Sequence, residues 1–463
     1  MTINRPLWTV LLLAAYLPFE SFILKFIPQD IYVFARYFSE GLIYVLALVV
    51  LWKVLTRQIP FRRTPIDLAF VLFLVVLFAS VVINVVSPTI AILGIRQILR
   101  FVFLFFIVVY LHPPKKFMQQ LTRVMLVIVL FQSLLGISQS IMGEPLDLLL
   151  LPSESRTYGE VTLTAGVNQF WDPGSRIFGT LGRYDRLGNF LYLFLLIVVA
   201  GIYEWRKGHN AKGMSRRLWI LLGIGLIALI LTYSRASWFA FLLGFLFITV
   251  IVYRDKRMLL GFFVFVAVAF GYLGLTGLNV KVITEAPGQT LVERFYETFS
   301  YARWRGEYYG LGRTYWMIQT PVLVMTTSPF FGFGPGQFGA GAVAALHNTT
   351  AYDQLGIPFG IFGTDGVIDN NWFSLWGETG TLGFLFYSWM WVALFIAAIR
   401  LFQKSKDPFT RSLAISFAAI LIAVGFNGFL STILEIRTVA FYLWLYGGFV
   451  VVLGSDEGIW HKA

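Results

Sequence analysis

The chain has 463 residues, of which 58% are hydrophobic and only 13% charged, with a net charge of +12 and a mean hydropathy of +0.75. A soluble domain of this length needs far more charge on its surface, so the composition excludes that class and calls for a protein dissolved largely in lipid. The absence of cysteine excludes disulfide and thiol chemistry and leaves the redox compartment open.

Crossing the hydrocarbon core takes about 20 apolar residues. Such stretches fall near residues 7–26, 32–52, 66–86, 90–111, 120–142 and 188–205, then near 218–234, 236–253, 258–276, 372–399, 412–430 and 438–454. They predict an all-α polytopic membrane protein of roughly twelve transmembrane helices, forming a single integral membrane domain over 1–463. The first stretch starts at Leu7 behind a short segment whose cation is Arg5, with no small-residue cleavage site, so it reads as an uncleaved span. Two long polar segments interrupt the pattern, an outer loop at 143–187 and a large outer loop at 276–371 between the ninth and tenth spans.

Short loops rich in Lys and Arg mark the cytoplasmic side. Lys53, Arg57, Arg62, Arg63, Lys115, Lys116 and Arg123 share a face with Arg206, Lys207, Lys212, Arg216 and Arg217 if the count is twelve. Arg254, Lys256, Arg257, Arg400, Lys404, Lys406 and Arg411 continue that face. Both termini are then expected in the cytoplasm. This bias accounts for most of the net charge, and no basic run in a soluble region points to nucleic acid. The two outer segments use arginine instead: Arg156, Arg176, Arg183, Arg186, Arg294, Arg303, Arg305 and Arg313, against Lys281. Arginine suits a planar grip on phosphate or carboxylate, so the outer face reads as built for an anion. Arg303 and Arg305, beside Trp304, Tyr301, Tyr308 and Tyr309, serve equally well as interfacial anchors.

Four constellations carry candidate chemistry. Arg176 precedes a turn through Gly179, Thr180 and Gly182, with Arg183, Asp185 and Arg186 following. Thr232, Ser234 and Arg235 lie between two spans with almost no loop, which puts Arg235 at the membrane lip. Arg313 precedes a corner from Ser328 to Phe338, shaped by Pro329, Gly332, Gly334, Pro335 and Gly336. Asp369 and Asn370 lead into a span that carries Glu378, Thr379, Gly380 and Gly383. Asp369 and Glu378 are separated by roughly two and a half helical turns and need not touch. Glu378 reads as a residue that orients a neighbour or caps a buried arginine. Arg96 and Arg100, one turn apart in the fourth span, read as buried polar residues of the bundle or as donor ligands. Arg437 with Glu435 reads as an internal ion pair.

In this order and spacing, over residues from about 90 to 440, the four blocks resemble the O-antigen ligase and polymerase superfamily of bacterial envelope glycan assembly. The resemblance rests on Arg176, Gly179 and Thr180; on Thr232, Ser234 and Arg235; on Arg313, Pro329, Gly332, Gly334 and Phe338; and on Asn370, Glu378, Thr379, Gly380 and Gly383. It implies a GT-C-like membrane enzyme of the bacterial inner membrane, acting at its outer face. The reaction is glycosyl transfer from a polyprenyl-diphosphate-linked glycan donor, of the undecaprenyl type, to a saccharide or lipid-linked acceptor. Arg176, Arg235 and Arg313 are expected to hold the donor diphosphate, with the lipid tail between helices among membrane lipid. No metal or other cofactor is called for if arginines carry the leaving charge, and a single displacement inverts the sugar. Asp369 stands where the ligases have His, and aspartate is the weaker base at neutral pH. By its position, where the ligase His assists the acceptor hydroxyl, Asp369 is nonetheless the expected catalytic base, with His347 of the same loop as the alternative. That replacement, with Phe384 after the Gly-x-x-Gly, favours polymerisation of repeat units over ligation to a lipid A core. Anion transport, of inorganic carbon for example, is a different class that intramembrane arginines also suit; no inverted repeat supports it.

Overall fold

The long apolar runs fold as helices, as they must where lipid offers the backbone no hydrogen bonds. The computed structural model describes residues 6–153, 155–158, 161–164, 167, 171–205, 211–276, 290–299, 301–339, 341–360 and 368–459. Arg5, Arg206, Lys207 and Lys281 lie outside these, as do the side chains of Lys212 and Arg303. In chain order the first helices are α1 (Pro6–Tyr16), α2 (Glu20–Lys25), α3 (Gln29–Leu55), α4 (Asp67–Ile83), α5 (Pro88–Ile98), α6 (Val102–Leu111), α7 (Lys115–Met142) and α8 (Glu144–Leu150). A short antiparallel hairpin, β1 (Ser155–Tyr158) and β2 (Val161–Thr164), adds strand to the expected all-helical fold within the first outer segment.

Then come α9 (Tyr184–Trp205), α10 (Ala211–Leu231), α11 (Arg235–Leu246) with a π-helical extension to Val252, and α12 (Lys256–Thr276). The large outer segment holds α13 (Leu291–Glu297), α14 (Tyr301–Tyr309), α15 (Arg313–Thr327), α16 (Gly341–Leu346) and α17 (Thr350–Leu355). The chain closes with α18 (Asn371–Lys404), α19 (Pro408–Asn427) and α20 (Arg437–Asp456).

Among the described residues eight helical segments are long and apolar enough to cross a membrane: Pro6–Lys25, Gln29–Leu55, Lys115–Met142, Tyr184–Trp205, Arg235–Val252, Asn371–Lys404, Pro408–Asn427 and Arg437–Asp456. The pair α5 and α6, bent by 56° where Phe101 takes a left-handed φ of 59°, makes a ninth if it is one span. Twelve spans also require α4, which is only 17 residues long, together with α10 and α12.

The core is set by sequence. α9 and α20 are apolar on every side and lie almost wholly buried, as a helix without a polar face must. Phe194 packs edge-on against Tyr442 and Tyr446, and Phe105 of α6 packs edge-on against Trp444. α19 closes on α9 and α18, its start fixed by Asp407, which accepts from the Thr410 N–H at 2.8 Å.

The cations of the short loops meet at one end of this bundle. Lys115 pairs with Asp407 at 2.7 Å and Arg411 with Glu204 at 2.9 Å, while Tyr253 donates to Glu204 at 2.6 Å. Glu204 lies near the C-terminus of α9. The helix's 22 residues carry its other end about 33 Å away, and the candidate site is there.

Candidate functional site

Five segments bring polar ends together around a cavity of about 200 Å³. Arg183 and Asp185 come from the start of α9, Arg235 from the start of α11, Arg294 from α13, Arg313 from the start of α15, and Asp369 from the approach to α18.

Local sequence explains each placement. Between α10 and α11 the chain reverses in a single turn with Tyr233 at φ 54°. Thr232 Oγ1 donates to the Leu229 carbonyl at 2.7 Å and accepts from the Ser234 N–H at 3.2 Å, which satisfies backbone that no loop is present to cover. Ser237 Oγ and Asn427 Nδ2 both donate to Asn189 Oδ1 at 2.9 Å, tying α11 and α19 to α9. Arg235 is thereby fixed at the cavity wall. The start of α13 is secured by a capping box: the Thr290 side chain accepts from the Glu293 N–H, and the Glu293 carboxylate accepts from the Thr290 N–H at 2.9 Å. One turn on, Arg294 and Glu297 share a face. Fully buried Glu297 takes Arg235 at 3.0 Å and Arg294 at 3.4 Å. Asp185 lies 3.1 Å from Arg183 and pushes its pKa up. Arg313 pairs with Asp369.

Arg183, Arg235, Arg294 and Arg313 thus face three carboxylates, Asp185, Glu297 and Asp369. Among the described residues arginines outnumber carboxylates here, and the guanidinium groups are held in place by partners that a polyvalent anion can replace.

The glycine corner has a structural task. α18 is broken at Gly380 (φ 68°, ψ −174°), which frees backbone groups inside a span. The corner satisfies them: Phe333 N–H donates to the Gly377 carbonyl at 2.8 Å and Gly334 N–H to the Glu378 carbonyl at 3.0 Å. In return Thr381 N–H donates to the Pro329 carbonyl at 2.9 Å and Leu382 N–H to that of Phe330 at 3.3 Å. A Cβ on Gly380 would lie 2.4 Å from backbone atoms of Phe330 and Gly332, so both motifs need glycine there. Buried Glu378 serves the same join, with Oε1 accepting from the Gly336 N–H at 3.0 Å. Its neighbour is therefore this loop, and none of its ion pairs among the described residues involves an arginine. Asn370 caps α18 by accepting from the Phe373 N–H at 3.1 Å and anchors it by donating to the Phe429 carbonyl at 2.9 Å.

The other expected site residues fall elsewhere. Arg176 does not line the cavity; it is buried with its guanidinium 4.6 Å from the ring of Tyr184, which does. The turn after it is clasped onto α7, where Gln139 Oε1 accepts from the Phe178 and Gly179 N–H groups at 3.0 Å and Gln132 bonds Thr180. His347 is exposed outside the cavity, with its ring edge-on to Phe359 at 4.8 Å. Arg437 pairs with Glu20 at 2.9 Å and Glu40 at 3.1 Å, a correction to the expected pairing with Glu435. Glu40 also takes Arg96 at 2.7 Å and Arg100 at 3.6 Å, so all three arginines gather on one buried carboxylate away from the cavity wall. Arg294 is the wall arginine that none of the four motifs contained, whereas Arg183 stood in the first of them without an assigned role. The capping box at Thr290 followed by Arg-x-x-Glu is the signal that marks Arg294.

Residues 220–388 match the family described as O-Antigen ligase. No curated protein matches the chain. The matched segment includes Arg235, Arg294, Arg313, Asp369 and Glu378 and leaves out Arg176 and Arg183.

Proposed function

From the O-antigen ligase domain carried by residues 220–388, we propose that this membrane enzyme polymerises polysaccharide repeat units at the outer face of the bacterial inner membrane, with both termini cytoplasmic. The observation that carries the reading is the convergence of Arg183, Arg235, Arg294, Arg313 and Asp369 on one cavity at the bundle end opposite the basic loops. The donor is a glycan on a polyprenyl diphosphate, and the acceptor is a saccharide hydroxyl of another lipid-linked unit.

The acceptor oxygen forms its bond to the anomeric carbon as the bond from that carbon to the diphosphate oxygen breaks. The bonding pair leaves with the diphosphate, and the acceptor proton passes to the Asp369 carboxylate. Arg235 and Arg313 exchange Glu297 and Asp369 for the diphosphate, which stabilises the leaving charge and releases the Asp369 carboxylate to act as base. One displacement inverts the stereocentre, and the arginines carry the charge that a metal carries elsewhere. Arg176 supports the site through Tyr184.

Transfer to a lipid A core or another final acceptor is the second reading, favoured by the match of residues 220–388 to the O-antigen ligase family. Purified protein supplied with a polyprenyl-diphosphate-linked repeat unit is expected to yield longer lipid-linked chains. Transfer only to a core acceptor selects ligation, and ion flux in vesicles without any transfer overturns both.

A further inference from the structure

The first turn of α9 divides two cavities. Arg183 and Asp185 face the one described above; Arg186 faces another, of about 340 Å³, walled also by Lys25, Arg36, Arg156 and Glu435. Its cations differ from those of the first cavity in making no direct ion pair with a carboxylate among the described residues; Asp185 acts on Arg186 only at longer range. Lys25 Nζ donates to the Leu148 carbonyl at 2.8 Å and to that of Leu149 at 3.2 Å. Arg156 donates to Gln29 Oε1 at 2.9 Å and lies over the Tyr32 ring at 4.7 Å. The side chains of Arg36 and Arg186 make no hydrogen bond or ion pair with described residues.

Among the described residues four cations therefore face one carboxylate, at the end of a membrane bundle where uncompensated charge is expensive. That carboxylate is already engaged, since both oxygens of Glu435 accept from the Gly341 N–H at 3.2–3.3 Å. Burial, opposed by Arg100, pushes its pKa up to about 7, so part of its charge is lost at neutral pH.

We propose that this cavity is a second anion site, which holds the phosphate head of a second lipid-borne molecule while the first cavity holds the donor diphosphate. The assignment of donor to the first cavity rests on the function proposed above; the second site stands on its own cations. Two sources share this chemistry: the diphosphate of a lipid-linked acceptor, and the headgroup of a structural anionic lipid.

Equilibrium dialysis of the detergent-purified full chain with a labelled ten-carbon prenyl diphosphate tests it. Wild type is expected to bind two equivalents. Arg36→Ala with Arg186→Ala should lose one of them, each arginine being worth about tenfold in affinity, and the double lysine variant should regain part of it. One equivalent in wild type, or two retained in the double alanine variant, overturns the proposal. Arg235→Ala that keeps both equivalents overturns the donor assignment alone. Phosphatidylglycerol that displaces the Arg36- and Arg186-dependent equivalent identifies a headgroup site, and its failure to do so identifies a substrate diphosphate; either supports a phosphate site.

Discussion

Gly380→Ala tests the join between the glycine corner and α18. The φ of 68° with ψ of −174° belongs to a region that only glycine occupies without strain, so alanine costs about 1–3 kcal/mol from backbone strain alone. Its Cβ would also meet backbone atoms of Phe330 and Gly332 at 2.4 Å, where nothing flexible can give way. If the corner lets go, the four bonds to Gly377, Glu378, Pro329 and Phe330 are lost, at about 1 kcal/mol each. The combined loss is roughly 5–7 kcal/mol, enough to lower the melting temperature by about 5 °C. Thermal unfolding in lipid nanodiscs measures it. Gly41→Ala is the control: its Cβ meets nothing within 4 Å, and the helix gains about 1 kcal/mol of propensity. A Gly380→Ala protein that melts with wild type would refute the account of the broken span.

Asp369→Asn should lose nearly all transfer activity while His347→Ala retains it; the opposite pattern in a product-length assay moves the base to His347. Glu40→Gln leaves Arg96, Arg100 and Arg437 without their shared carboxylate and should destabilise the fold by roughly 3 kcal/mol, read as an earlier melt. The raised pKa of Glu435 means that the folded state favours its protonated form. That contribution is present below the ordinary value of 4.5 and is lost as pH rises through about 7. Glu435→Gln should therefore flatten the pH slope of the melting temperature between those limits, and an unchanged slope would count against this origin.

Eight of the twelve expected stretches were legible as helices long and apolar enough to cross a membrane, because twenty apolar residues have few alternatives in lipid. The bend at Phe101 was not, because nothing near it in the sequence breaks a helix; the contact beside it, Arg100 donating to the Glu435 carbonyl, comes from a segment far along the chain. Charged motif residues gave candidate positions but no partners. Arg235, Arg313 and Asp369 share a wall, whereas Arg176 ended behind Tyr184 because glutamines two turns apart on α7 fix the turn that follows it. Glutamines inside an apolar helix carry no directional signal in one sequence. Arg437 likewise found its carboxylates in α2 and α3, more than 390 positions away, and not in adjacent Glu435.

The stitched break also constrains the order of assembly. The corner at 328–338 is synthesised before residues 377–382, to which it gives and from which it takes its hydrogen bonds. Until they arrive, its N–H and C=O groups must be hydrated, because each would cost several kcal/mol unsatisfied in hydrocarbon. The upper part of α18 is under the same constraint. Only the Gly377 and Glu378 carbonyls and the Thr381 and Leu382 N–H groups of this helix depend on the corner; the rest keeps an ordinary helical ladder. Docking of the corner onto the break thus also completes the support beneath the wall on which Asp369 sits.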